Sequence, residues 1–203
     1  MSQPEATLKE LVTRALPDPG EIASFLDGLS LEDRIRAVRG MHGGSLQGEL
    51  WRAVVGAPRV RTDEMVPHDY PARRPVIFHG KNSLPAFTEF QKICFRPEDS
   101  GDVAWGYNET KIRPWIGPGY YVLHDTPDAH LGGAAFDYTQ VPSATLPAWP
   151  PVRGNEGGIS RFIYGNMLDY MRRVASEVFI GSAVKGGKEM NSYFIVVREL
   201  LSV

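Results

Sequence analysis

The chain has 203 residues but only one cysteine, Cys94, so an internal disulfide framework is excluded. Long apolar runs are also missing: no stretch approaches the roughly 20 residues that a membrane helix needs. The first residues carry early acidic side chains and lack the apolar stretch of a signal peptide. These absences predict a cytoplasmic protein without a membrane partner.

The chain also lacks a large excess of either basic or acidic residues. The chain has 22 basic and 24 acidic residues, a net charge of -2, and no block of five or more like charges. A broad basic surface for nucleic acid is therefore absent, and we expect no nucleic-acid partner. The hydrophobic fraction of 42% is ordinary for a globular chain that is long enough to bury one sizeable core.

Aromatic residues are scarce in the first third of the chain. Residues 1–74 contain only Phe25, Trp51 and Tyr70, whereas the other 18 of the 21 aromatic residues lie in residues 75–203. This contrast predicts a helical segment at residues 1–60, a linker or lid at 61–74, and a β-rich domain at 75–203.

The spacing of apolar residues predicts four short helices in the first segment, at residues 6–16, 21–29, 31–39 and 46–55. Ser30 is the expected N-cap of the third helix. Leu8, Leu11, Val12 and Leu16 form the expected apolar face of the first. None of these helices is long enough to be stable alone, so we expect them to pack on the β domain.

The remainder reads as strands separated by glycine and proline, at 76–79, 90–95, 103–107, 119–123, 135–141, 177–184 and 192–198. Residues 166–173 are expected to form one or two helical turns, and residues 185–191 a long hairpin loop. The pattern favours an α+β protein whose main part is an antiparallel β-barrel or a strongly curved sheet. An eight-stranded barrel can enclose one small ligand.

Two stretches resemble a bacterial family known by its Gly-x-Trp-x-Gly (GXWXG) motif and by a C-terminal companion domain of unknown function. The first runs from Phe78-His79-Gly80-Lys81 to Phe95-Arg96-Pro97, and the second from Phe162-Ile163-Tyr164 to Tyr193-Phe194-Ile195-Val196-Val197-Arg198. The motif itself is replaced by Arg36-Ala37-Val38-Arg39-Gly40. The resemblance implies a calycin-type, lipocalin-like barrel, and it carries no catalytic residues over to this chain.

Polar residues at two places are candidates for a site. His79 and Lys81 follow a predicted strand, where they could transfer protons or bind an anion at a cavity mouth, or simply belong to a strand-end turn. Asp169 is a third catalytic candidate, and Arg172 is a candidate to hold a ligand carboxylate. On a helix these two residues would instead form a surface ion pair.

Aromatic residues supply the candidate lining of a ligand cavity, with ordinary core packing as the alternative. The candidates are Phe78, Trp105, Tyr107, Trp115, Tyr121, Phe162, Tyr164 and Phe179.

Metal and thiol chemistry receive little support. His124, Asp125, Asp128 and His130 include suitable ligand types, but their loop-like stretch fixes no geometry. Cys94 lies in an apolar run, which favours a buried inert thiol. We assign neither a metal nor a cofactor.

Three functions follow as hypotheses. The first is binding of a small, largely apolar or aromatic molecule in the barrel. The second is an enzyme, such as a cyclase, isomerase or hydrolase, that acts on a biosynthetic intermediate in the same cavity. The third is a protein-interaction module that docks through residues 1–60. The sequence leaves the oligomeric state open.

Overall fold

Antiparallel strands close into a barrel in the computed structural model, which describes residues 3–85, 88–98, 101–127 and 131–201. Each strand pairs with its neighbours in chain order, and the last pairs with the first. The strands are β1 (Val76–Asn82), β2 (Glu89–Phe95), β3 (Val103–Glu109), β4 (Tyr121–Asp125), β5 (Ala134–Asp137), β6 (Met167–Ala175), β7 (Val178–Lys185) and β8 (Lys188–Leu200). The prediction of an antiparallel barrel is confirmed.

Short helices surround the barrel. They are α1 (Pro4–Thr13), α2 (Pro19–Asp27), α3 (Leu31–Arg39), α4 (Gly44–Ala53), α5 (Thr62–Met65), α6 (Arg113–Ile116) and α7 (Gly158–Ile163). Ser30 caps α3, and its hydroxyl accepts a hydrogen bond from the Asp33 N–H, as expected. Across the described ranges, every helix is too short or too polar to cross a bilayer.

Helices α1–α4 pack on the outer face of the barrel. Their apolar residues form one buried cluster with outward-facing residues of β6, β7 and β8, such as Ile180 and Ile195. The guanidinium of Arg172 lies over the Trp51 ring, 3.7 Å from its centroid, and donates to the Trp51 carbonyl at 2.8 Å. Because α1 ends at Thr13, Leu16 lies beyond it and is exposed.

Residues 60–70 close one end of the barrel. Val60, Met65, Val66 and Tyr70 are buried in the same cluster as the inward-facing residues of the strands. Arg198 joins this segment to the barrel wall, since its Nη1 donates to the Met65 carbonyl at 3.2 Å while its Nη2 donates to Glu177 Oε1 at 2.8 Å. The segment predicted as a linker or lid therefore contributes to the core.

A proline-rich loop covers another part of the outer face. Trp149 packs edge-on against Phe95 and Tyr107, with ring centroids 5.2 Å and 4.8 Å apart. Asn155 holds the end of this loop by donating to the Tyr120 and Tyr138 carbonyls at 2.7 Å and 2.8 Å. The aromatic residues on this face thus serve packing outside the barrel.

The prediction of helical turns at residues 166–173 is wrong, because residues 167–173 belong to β6. Met167, Asp169 and Met171 face the barrel interior, whereas Tyr170 and Arg172 face the helices outside. This alternation has a period of two and defines a strand. On a helix Asp169 and Arg172 would form a surface ion pair, but burial on both faces of the sheet decides the conformation. The helix α7 lies just before this segment.

The long hairpin loop expected at residues 185–191 is also wrong. Lys185 pairs with Lys188, so the turn between β7 and β8 contains only Gly186 and Gly187. Both glycines have positive φ, +56° and +77°, which the tightest hairpin turns require. Residues 188–191 therefore extend β8.

Glycines on the inner face make room for aromatic rings on the neighbouring strand. The register pairs Gly80 with Phe90, Gly106 with Tyr121, and Gly181 with Phe194. A Cβ atom at any of these three glycines would collide with the aromatic ring of the paired residue. These pairs let three rings lie across the strands inside the barrel.

We expect Gly181→Ala to destabilise the fold by about 1–3 kcal/mol, the usual cost of overpacking a core. A Cβ at Gly181 would lie 2.1 Å from Phe194 Cζ, and the Phe194 ring is itself packed edge-on against Phe90. Urea unfolding measures the change. Gly154→Ala is the matched control, because nothing lies within 4 Å of a Cβ there.

The same measurement in a Phe194→Leu background separates this collision from other effects. The cost of Gly181→Ala should fall once the ring is gone, since the two residues contact each other directly. An unchanged cost in that background would show that the ring is not the reason for the glycine.

Candidate functional site

A cavity of about 410 Å³ occupies the barrel end opposite α5. It is bounded by the ends of β1, β3 and β7, the beginnings of β2, β6 and β8, and the helices α6 and α7. Most of its wall is apolar, including Phe90, Ile112, Ile116, Met167, Ala183 and Phe194. The other end of the barrel is filled by side chains, so the cavity is closed on that side.

Lys92 lies at the inner end of this cavity and is almost completely buried. Its ammonium group donates to Asp169 Oδ2 at 3.0 Å, to Asn108 Oδ1 at 3.2 Å, and to the Tyr138 hydroxyl. All three protons of the charged amine therefore have an acceptor, which is the condition for keeping a buried charge.

The partners of Lys92 are held in turn by one another. The Tyr138 hydroxyl donates to Asp169 Oδ2 at 3.1 Å. Asn108 Nδ2 donates to the Gly119 carbonyl at 3.0 Å, which directs its Oδ1 towards Lys92. We call Lys92, Asn108, Tyr138 and Asp169 the polar floor of the cavity.

Aromatic rings surround the ammonium of the polar floor. Lys92 Nζ lies within 6 Å of five ring centroids, a distance at which a cation is attracted to the electron-rich ring face. The rings belong to Phe90, Tyr121, Phe136, Tyr138 and Phe194. Three of them are the rings that the inward-facing glycines accommodate.

Burial changes the acid–base behaviour of the polar floor. Loss of water around the amine lowers the pKa of Lys92, while the charge of Asp169 and the hydrogen bond to it oppose that shift. Burial also raises the pKa of Tyr138 well above its usual value, so its hydroxyl keeps its proton. The floor thus offers an amine with a lowered pKa, a carboxylate and a neutral hydroxyl.

Three of the residues predicted for the site line the cavity. Asp169 belongs to the polar floor, and Phe162 and Tyr164 lie at or near the mouth. The Tyr164 ring stacks on Tyr138 with centroids 5.2 Å apart. Phe162 is largely exposed on α7, while Lys185 Nζ donates to its carbonyl at 2.5 Å.

Three other predicted residues, Phe78, Tyr121 and Phe179, are completely buried in the filled end of the barrel. Phe78 packs edge-on against Phe136 and Phe179, with centroids 6.2 Å and 6.3 Å apart. Tyr121 contributes to the site only as one of the rings near Lys92.

The aromatic residues Trp105, Tyr107 and Trp115 lie outside the barrel. Trp105 packs against Phe95, and Tyr107 packs against Trp149, both under the proline-rich loop. Trp115 is largely exposed on α6. Strand alternation explains the first two positions, because Ala104, Gly106 and Asn108 are the residues of β3 that face inward.

His79, Lys81 and Arg172 also face outward. They therefore do not lie at the cavity mouth, where we predicted polar side chains from the sequence. His79 Nε2 lies 2.7 Å from Glu199 Oε2, and Lys81 Nζ donates to Thr88 Oγ1 at 2.7 Å. Arg172 contacts Trp51 of α4. On β1 the inward-facing residues are Phe78 and Gly80. Because side chains alternate between the two faces of a strand, His79 and Lys81 must face outward.

Sequence reasoning missed Lys92, Asn108 and Tyr138. The available signal was a single charged residue inside the apolar run 90–95, at the position that alternates with Phe90 and Cys94. A lone charge on the buried face of a strand requires a partner. The partner, Asp169, is 77 residues away in sequence and cannot be identified from spacing.

The described residues contain no group of three or more possible metal ligands. His124 lies on β4, where its Nε2 is 3.4 Å from Asp137 Oδ2 and this contact raises the pKa of the imidazole. Asp128 and His130 fall outside the described residues. Cys94 is buried, and burial raises the pKa of its thiol to about 12, which disfavours the reactive thiolate.

Comparisons with protein-family models, with curated proteins and with solved structures found no match to this chain. The resemblance to the GXWXG family and the calycin-like classification of the barrel therefore remain predictions. The cavity and its polar floor are the features of this chain that point to a function.

We expect Lys92→Met to destabilise the protein by about 3–5 kcal/mol, because it leaves the Asp169 carboxylate buried without its cation. Lys92→Met combined with Asp169→Leu should recover most of that loss, since no unpaired charge remains. Urea unfolding of the wild type, both single variants and the double variant gives the coupling free energy.

A matched control is Lys188→Met, which removes an exposed lysine at the beginning of β8, next to the hairpin turn. If Lys92→Met is no more harmful than this control, the ion pair does not contribute to the fold as described.

Proposed function

We propose that this protein binds a small, largely apolar molecule in the barrel cavity, with one polar group of the ligand at the polar floor. The observation that carries the proposal is the combination of an apolar wall with a buried ion pair at its inner end. Ligand sites commonly have this composition: a concave apolar surface of about 300–1,000 Å³ with a few placed polar groups.

The charge of the polar floor limits the polar group of the ligand. Lys92 and Asp169 together carry no net charge, and Lys92 already donates all of its protons. A ligand carboxylate would lose its hydration without finding an uncompensated cation, whereas a hydroxyl or carbonyl group loses less. The site therefore favours a ligand with a neutral polar group.

The mouth of the cavity provides an apolar route for such a ligand. Ile163 and Phe162 of α7 lie at the mouth together with Ile116 of α6. Ser160 Oγ donates to the Ile116 carbonyl at 2.6 Å and connects the two short helices. Contact with these apolar side chains removes apolar surface of the entering molecule from water, which favours its entry.

We expect the neutral apolar dye Nile red to bind in the cavity with increased fluorescence, and Ala183→Phe to weaken that binding roughly tenfold or more, a loss of about 1.4 kcal/mol or more of binding free energy. Ala183 faces the cavity, so a ring there fills it. Fluorescence titration measures the affinity, and thermal unfolding verifies that the variant folds.

Val141→Phe is the control, because it adds the same ring at an exposed position outside the cavity. Equal dye affinity in the two variants would place the dye elsewhere and remove the support for a cavity ligand.

We also expect decanol to displace Nile red at a roughly tenfold lower concentration than decanoate at pH 7, a difference of about 1.4 kcal/mol. The two competitors share one chain length and differ only in the charge of the polar group. Stronger displacement by decanoate would contradict the neutral polar group inferred from the Lys92–Asp169 pair.

The enzyme hypothesis is the second candidate, and one observation favours it. The cavity contains an amine, a carboxylate and a phenol in mutual contact, which is the kind of cluster that moves protons in catalysis. The protein-interaction hypothesis gains no such support, because the apolar faces of α1–α4 are packed on the barrel.

A further inference from the structure

We infer that Lys92 forms a reversible imine with an aldehyde or ketone group of an apolar ligand held in the cavity, with Asp169 as proton acceptor and counterion. The inference rests on the proposed function, because the ligand must first enter the cavity. It goes further by naming the reacting atom and the chemical class of the ligand.

The position of Lys92 supports this chemistry. Its side chain lies at the inner end of the cavity, so a ligand that enters with its carbonyl group first meets Nζ. The surrounding rings and the apolar wall offer few polar groups to hold water beside an imine, which water would hydrolyse. Lys185, the other lysine of the wall, is located at the mouth and donates to the Phe162 carbonyl.

The partners of Lys92 supply the proton transfers. Attack requires the uncharged amine, and Asp169 Oδ2 at 3.0 Å can accept the proton that the ammonium gives up. Burial lowers the pKa of Lys92 and so increases the fraction of free amine at neutral pH. The Tyr138 hydroxyl adjoins both groups and can donate to the carbonyl oxygen as negative charge develops on it.

The reaction balances without any further reagent. The Nζ lone pair forms a bond to the carbonyl carbon, the C=O π electrons move to oxygen, and one proton passes from the nitrogen to that oxygen. The proton that Asp169 accepted from the ammonium then reaches this hydroxyl, and the C–O bond breaks with its electron pair leaving on water. The nitrogen lone pair forms the C=N bond, and a protonated imine remains.

The product retains the electrostatics of the starting site. A protonated imine carries one positive charge at nitrogen, next to the Asp169 carboxylate and within the same set of aromatic rings. The buried pair is thus preserved, and the reverse reaction with water releases the ligand. The site can hold a carbonyl compound covalently without a net change of charge.

The test uses the whole 203-residue chain, decanal as the probe and sodium cyanoborohydride to trap the imine at pH 7. We expect one decyl group per chain, located at Lys92 by peptide mapping, at a rate roughly tenfold or more above that of any exposed lysine. Binding in the cavity holds the carbonyl group of decanal beside Lys92 Nζ, so its effective concentration there is higher than at any exposed lysine. An excess of decanol should suppress the adduct.

Lys92→Arg keeps the charge but lacks a primary amine, and it should lose the adduct, whereas Lys188→Arg should keep it. If Lys92→Arg does not fold, peptide mapping of the wild type with and without decanol decides the question alone. Trapping spread over exposed lysines, or an adduct that decanol does not suppress, would overturn the inference.

Nile red displacement in the same samples separates this inference from the proposed function. Decanal that displaces the dye without trapping at Lys92 would leave ligand binding intact and refute the imine. Decanal that neither displaces the dye nor forms the Lys92 adduct would count against both.

Discussion

The structure depends on a lysine ammonium kept inside a β-barrel. Removing such a charge from water costs several kcal/mol, and the cost is offset only when every donor has an acceptor and a counter-charge is near. Asp169, Asn108 and Tyr138 meet these requirements for Lys92, and the aromatic rings add a favourable environment for the cation. Each of these groups comes from a different strand or loop, so the polar floor forms only when the barrel is closed.

The rest of the barrel can be understood from this requirement. Inward-facing glycines leave space for three of the five rings around Lys92, those of Phe90, Tyr121 and Phe194. Residues 60–70 fill the far end, which leaves the polar floor open on one side only. The cavity is consequently apolar along its wall and polar at its inner end, and this contrast gives a bound molecule a defined orientation.

Much of the architecture could be predicted from local patterns in the sequence. Apolar spacing and turn residues located the four N-terminal helices and most strands, because those features depend on near neighbours. The site could not be predicted in the same way. Lys92 and Asp169 are 77 residues apart and meet only through strand register. The prediction of helical turns fails at β6 because pairing with β5 and β7 decides its conformation, and the prediction for His79 and Lys81 fails because strand alternation turns them outward.

The most direct measurement is NMR of the protein with bound decanol, observed through contacts between the ligand and the side chains of the cavity. The account requires contacts from the decanol chain to the methyl groups of Ala183 and Met167, with the carbon next to the hydroxyl closest to Lys92 and Tyr138. Contacts restricted to α1–α4, or a chain that lies in the cavity with its hydroxyl at the mouth beside Phe162, would contradict it.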